Sequence, residues 1–254
     1  MTGALSLGIA AAAGPALAAR VATAAEAAGF HALWVNDTPG HDALRLLEAA
    51  AGATERLGLS TGVLPVDRRS PDEILAAAAG LPPERLTLGI GSGQLRAGAV
   101  QAVTDAATAL REHTRARVVV GALGPKMRRA GATASDGVLL SWLTPGLAAA
   151  QARQAHELVP ETHAALYVRT ATDGAAVPAL DEEAQRYAGY PAYAANFARL
   201  GVAAGDTVIR PDGLGERIAA YRGAADEVVL RAITPSGSLD EHLRFIDSVA
   251  EALA

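Results

Sequence analysis

Residues 117–142 read RVVVGALGPKMRRAGATASDGVLLSW. A short apolar run, Arg117–Ala122, meets a Gly/Pro break, then an Ala-rich segment, Lys126–Ser135, and then a second apolar run, Gly137–Trp142. Two short runs rich in Val and Leu, joined by a helix-length stretch, are the pattern of parallel strands connected by a helix. Working outward, the same unit recurs. Further strands are expected at Leu5–Ala10, Ala32–Asn36, Leu57–Leu64, Leu86–Ile90, Ala164–Arg169 and Glu227–Ile233. The remaining helices are expected at Ala16–Ala28, Ala43–Arg56, Pro71–Gly80, Ala97–His113, Leu147–Leu158, Glu182–Leu200 and Leu239–Ala252. The last has the clearest stripe, with Leu239, Leu243, Ile246, Ala250 and Leu253 on one face. Extra helix, Leu214–Tyr221, falls before the last strand.

Strands that read as nearly continuous apolar runs are those buried on both faces. Eight strands alternating with eight helices favour a closed α/β barrel of the TIM, (β/α)8 type over an open sheet. An open dinucleotide-binding sheet carries G-x-G-x-x-G after its first strand, and Ala10–Gly14 has none. The 254 residues, half of them apolar, match the roughly 250 residues such barrels occupy. With no Ser/Gly-rich linker in view, the expectation is one barrel domain over residues 1–254.

Composition removes several classes. There is no cysteine, hence no disulfide, thiolate metal site or cysteine nucleophile. The net charge of −5 comes without a basic block, so nucleic acid is not an expected partner. Leu5–Ala19 is apolar and Ala16-Leu17-Ala18 resembles a cleavage site, but residues 1–4 carry no Lys or Arg and Gly14-Pro15 divides the stretch. A strand and a helix are expected there, in a cytoplasmic protein without a membrane span. Arginine outnumbers the single lysine, Lys126.

Barrel active sites form from the loops that follow the strands. Strand two runs into Asn36-Asp37-Thr38-Pro39-Gly40-His41, strand four into Gly91-Ser92-Gly93, and strand five into Gly121-Ala122-Leu123-Gly124-Pro125-Lys126-Met127. Glycines before a helix N-terminus, with a lysine, suit a phosphate, although this is not the P-loop spacing; tight turns alone would explain them equally. Asp37 reads as a site carboxylate or a cap for the next helix. His41 reads as an imidazole suited to proton transfer or as an exposed loop residue. Trp142 would wall a pocket or fill the core. Tyr187, Tyr190 and Tyr193 would line a pocket or a subunit contact, and Arg68-Arg69 would be solvated or meet an acidic cofactor tail. His31, His113, His156, His163 and His242 are expected on helices or far loops; no metal-ligand spacing occurs, and no metal is expected.

These loops also carry a resemblance. Trp34-Val35, Thr61-Gly62-Val63 and Leu88-Gly89-Ile90-Gly91-Ser92-Gly93 are similar to the luciferase-like monooxygenase superfamily. Ala122–Met127, Ala134–Val138, Thr144-Pro145 and Tyr187–Gly201 resemble its mostly actinobacterial branch, which uses the deazaflavin coenzyme F420. The resemblance implies a non-prolyl cis peptide at Gly62–Val63 behind the central ring of the cofactor. It implies that Gly121, Gly124, Lys126 and Met127 hold the cofactor phosphate and that Gly91, Ser92 and Gly93 approach its polar edge. It implies hydride transfer to or from a small organic substrate; by their own placement, Asp37 and His41 are the candidates for handling protons, and Trp142 and Tyr190 for lining the pocket. A homodimer is expected. The rivals are an FMN-dependent monooxygenase fed by a flavin reductase, a non-catalytic flavin-binding protein, and a phosphate-ester enzyme without redox cofactor. Two departures stand out: Thr38 follows Asp37 where many deazaflavin relatives carry His, and the connection from Gly93 to Arg117 is short.

Overall fold

A computed structural model describes residues 2–254. Its strands are β1 (Ala4–Ala10), β2 (Ala32–Asn36), β3 (Gly58–Thr61), β4 (Leu64–Pro65), β5 (Leu86–Gly91), β6 (Arg117–Gly121), β7 (Gly137–Ser141), β8 (His163–Thr170) and β9 (Glu227–Ala232). The helices are α1 (Pro15–Ala27), α2 (Ala43–Ala53), α3 (Pro71–Ala78), α4 (Ala99–His113), α5 (Pro125–Ala134), α6 (Pro145–Leu158), α7 (Val177–Ala188), α8 (Pro191–Leu200), α9 (Leu214–Arg222) and α10 (Leu239–Leu253). All pairings are parallel. β1 joins β2 on one side, with Leu7 opposite Leu33, and β9 on the other, with Leu7 opposite Leu230. β3 joins β5 at Leu59 and Leu86, which completes a closed eight-strand TIM barrel.

The third barrel strand was expected as one run, Leu57–Leu64, and is two pieces. β3 and β4 both pair with β5 but are separated by Gly62-Val63, whose peptide bond is cis as the resemblance implied. The side chain of Thr61 supports the ladder here, bonding both the carbonyl and the N–H of Gly89. The other strands lie within a residue or so of their expected ends.

Strand alternation sorts the core into two shells. Leu33, Val35, Val118 and Val120 face the helices, while Trp34, Val119, Leu139, Ala165, Tyr167 and Val229 fill the barrel. Gly8 leaves room for Tyr167, since a Cβ there would stand 2.7 Å from its hydroxyl. The floor is closed by the Glu227 carboxylate, which accepts from Ser6 Oγ at 2.5 Å and Trp34 Nε1 at 2.6 Å and pairs with His163 Nε2 at 2.8 Å. His163 therefore opens β8 and belongs to the floor, which corrects its expected place on a helix or far loop. Burial alone would push the Glu227 carboxyl up; hydrogen bonds from His163, Ser6 and Trp34 outweigh that and hold it below the usual range.

A second correction concerns Glu182–Leu200, which is two helices and not one. Pro191 lacks an N–H and drives the preceding residue out of helical geometry, and Tyr190 is extended, with ψ 128°. α7 and α8 build a small core of their own, with Leu180, Ala184 and Phe197 packed against Trp142.

A candidate ligand site at the C-terminal mouth

Where β2 ends, Asn36 binds three strands together. Its Nδ2 donates to the Gly62 carbonyl, and its Oδ1 accepts from Tyr167 Oη at 2.6 Å and Arg231 Nε at 3.2 Å. Full burial pushes the Tyr167 phenol far above its ordinary range, so it stays protonated and donates. Above it lies Val63. A Cβ at Gly91 would come within 2.6 Å of Val63 Cγ2, and one at Gly121 within 3.0 Å of Val63 Cγ1. The two glycines thus make room for the Val63 side chain.

Gly93 has a different reason. Its φ is +58°, and a Cβ would collide with Asp67 Oδ1. Asp67 also accepts from the Gln94 N–H at 2.8 Å, which ties the Gly91-Ser92-Gly93 turn to the loop after β4.

The strand-two loop places Asp37 and His41 in unlike settings. The Asp37 side chain is 4% exposed, pairs with Arg68 at 2.8 Å and accepts from the first N–H of α2. Burial raises its carboxyl above the ordinary value; the Ala43 N–H, Arg68 and Arg69 oppose the rise. Arg69 pairs with Asp42, the N-cap of α2, at 2.8 Å. Both arginines therefore clamp this loop. His41 is exposed on the turn it closes with Thr38, and no hydrogen bond joins it to Asp37.

At β6 the chain turns through Gly124 into α5. No side chain caps this helix, and Pro125 occupies its first turn, so the Lys126 and Met127 N–H groups stay available at the positive end of the helix dipole. Lys126 is exposed, while Met127 packs against the core. Arg128 is 9% exposed and bonds the Leu123 carbonyl and Gln154, both at 3.4 Å. Its charged neighbour is another cation, Arg199, which itself donates to Asn196 Oδ1. Such a cluster has the donor chemistry of an anion site.

β7 and β8 supply the other wall. Trp142 has φ +58°, and the Arg169 guanidinium stacks on its ring at 4.1 Å and on Tyr187 at 4.8 Å. Arg169 Nε donates to Glu183 at 3.1 Å. Burial would raise the Glu183 carboxyl, and Arg169 and Arg231 hold it below the usual range instead. Tyr187 meets Tyr190 and Tyr193 edge-on, while Tyr190, 46% exposed, stands at the rim.

Four buried side-chain atoms among the described residues have no hydrogen-bond partner: Thr38 Oγ1, Trp142 Nε1, Arg169 Nη1 and Asn196 Nδ2. Native proteins rarely leave such groups unpaired. Three of them follow or end strands at the C-terminal side, Thr38 after β2, Trp142 after β7 and Arg169 near the end of β8, while Asn196 lies in α8 beside Phe197. Open grooves at the opposite end, near Glu26, His31 and Leu253, contain none of these atoms. Among the described residues no three His, Asp or Glu gather as a metal would require, and no helix is long and apolar enough to cross a membrane.

With this geometry in view, residues 4–99 match the family described as luciferase-like monooxygenase. The match covers the N-terminal part of the barrel, from β1 to the start of α4. The barrel is similar to an F420-dependent secondary alcohol dehydrogenase solved with an F420-acetone adduct, at TM-score 0.77 and 16% identity over 100% of both chains. It is similar to the F420-dependent tetrahydromethanopterin reductase of Methanopyrus kandleri, at TM-score 0.75 and 16% identity over 100% of this chain and 99% of that one. It also resembles the oxygenating constituent of 3,6-diketocamphane monooxygenase from Pseudomonas putida, solved with FMN, at TM-score 0.62 and 13% identity over 100% and 99%. No curated protein sequence matches the chain. Barrels of this fold thus include both deazaflavin and FMN enzymes. In this one the sequence singled out the Gly62-Val63 bulge and the α5 N-terminus, but not Asn36, Tyr167, Arg169, Glu183, Arg128 or Arg231. The only advance signal was charge within otherwise apolar strands, at Arg169 and Arg231.

Proposed function

We propose that this protein is an oxidoreductase that binds the deazaflavin F420 at the C-terminal mouth of its barrel and passes hydride to or from a small organic substrate. The observation that carries the reading is the set of three unpaired buried polar atoms, Thr38 Oγ1, Trp142 Nε1 and Arg169 Nη1, at the C-terminal ends of β2, β7 and β8. The donor set fits the cofactor. Lys126 and the α5 N-terminus, with Arg128 and Arg199, would hold its phosphate, and the two F420-dependent structural neighbours support the choice. When bound, the deazaflavin supplies a carbon that exchanges hydride.

The protein's own residues do the rest. Asn36, Tyr167 and Arg231 fix the Gly62 carbonyl and give the mouth a rigid floor. Asp37 holds the strand-two loop against α2, and exposed His41 is our candidate for proton exchange with solvent. The α7–α8 pair, with Trp142, excludes water from one side. An FMN-dependent monooxygenase is the second reading, supported by the FMN-bound neighbour.

Titration of the purified protein with deazaflavin, and separately with FMN, tests the choice by fluorescence quenching. Micromolar or tighter deazaflavin binding with weak FMN binding is expected. The reverse order selects the monooxygenase, and binding of neither by folded protein removes both.

A further inference from the structure

Arg169 and Trp142 carry N–H groups that nothing in the protein accepts, although both residues are almost wholly covered. Their placement follows from strand geometry. Residues two apart on a strand share a face, so Arg169 stands one layer above Tyr167 in β8. Trp142 follows Ser141, the β7 residue opposite Tyr167. The stack of indole on guanidinium fixes both planes, and Glu183 takes the Arg169 Nε. Nothing takes Nη1.

Charge makes the same demand. Glu183 faces several cations: it pairs with Arg169 and with Arg186, and Arg231 also acts on it. Arg231 spends its donors on Asn36 and the Ala232 carbonyl. One carboxylate thus answers more than one cation, and Arg169 itself is 5% exposed, where an incompletely balanced charge is costly. A neutral carbonyl would satisfy a donor but not the charge. A carboxylate does both.

We infer that Arg169 Nη1 and Trp142 Nε1 form a subsite for the carboxylate of the substrate, making this barrel selective for small organic acids. The inference rests on the mouth being the ligand site, as proposed above, and not on which cofactor occupies it. Tyr187, Tyr193 and Phe197 cover the subsite, so entry of the acid displaces part of the α7–α8 pair.

The test uses the full chain and needs no turnover. Tryptophan emission is followed while benzoate, and separately benzamide, is titrated into the wild-type protein. The same is done for Trp142→Phe and for Arg169→Gln/Glu183→Gln, which leaves the net buried charge unchanged. Circular dichroism shows that each is folded, and deazaflavin is titrated into each as a separate measurement. Benzoate is expected to bind the wild type at least tenfold tighter than benzamide, and the double variant is expected to lose that preference while still binding deazaflavin. Trp142→Phe, read by calorimetry, should weaken benzoate severalfold. Equal binding of acid and amide by the wild type, absent benzoate binding, or a preference that survives in both variants would overturn the subsite. Failure of wild-type protein to bind any flavin would instead overturn the function proposed above.

Discussion

At Gly91 and Gly121 the side chain that matters is Val63, because both missing Cβ atoms would fall on its methyl groups. Gly91→Ala should therefore destabilise the fold by about 1–3 kcal/mol through overpacking. Adding Val63→Ala should recover part of that loss, and urea denaturation of the single and double variants measures both. Glu227 gives a pH prediction. Its folded pKa is depressed below the ordinary glutamate value of about 4.3, so its stabilisation is complete above that value and is lost as pH falls through the folded pKa. Glu227→Gln should cost about 2 kcal/mol at pH 7 and flatten the acid arm of the stability profile, as thermal melts between pH 3 and 7 would show. Neither role could be read from the chain alone. Glu227 sits 193 residues from Trp34 and 221 from Ser6, and only barrel closure brings them together. Asn36 and Tyr167, 131 residues apart, were hidden for the same reason. Asp37 and the glycines were visible because loop chemistry is local, yet their contacts turned out to be with Arg68, Val63 and Asp67.

Among the elements, periodicity located nearly every strand and helix, since each buries a face whose spacing the sequence must carry. The exceptions have local causes: the third strand breaks at Gly62-Val63, and one expected helix breaks at Pro191. α10 shows how an end is set. Ser238 and Glu241 form a reciprocal capping box, and His242, Phe245, Ile246 and Val249 then face inward. Ser238→Ala should cost about 1 kcal/mol in urea denaturation. The uncapped N-terminus of α5 is the contrasting case, left open beside Lys126 and Arg199. Lys126→Ala with Arg199→Ala should weaken deazaflavin binding roughly tenfold, or about 1.4 kcal/mol; Lys126→Ala alone, which breaks no hydrogen bond, should weaken it less and leave thermal stability unchanged. Titration at low and high salt reads the effect, which should shrink as salt screens the charges.

For the whole molecule, the barrel was legible from the βα alternation, whereas the chemistry of its mouth was not, because its walls come from β2, β7, β8, β9 and α8. Two open grooves lie at the other end of the strands, so a groove by itself does not mark the ligand site. Polar bookkeeping points to the C-terminal mouth. Hydrogen-exchange mass spectrometry with and without deazaflavin decides between the two ends. A ligand site at the C-terminal mouth predicts protection in peptides holding Asn36, Gly62-Val63, the α5 N-terminus and α7–α8, with Glu26, His31 and Leu253 unchanged. Protection at Glu26, His31 and Leu253, with none at the strand C-termini, would contradict it.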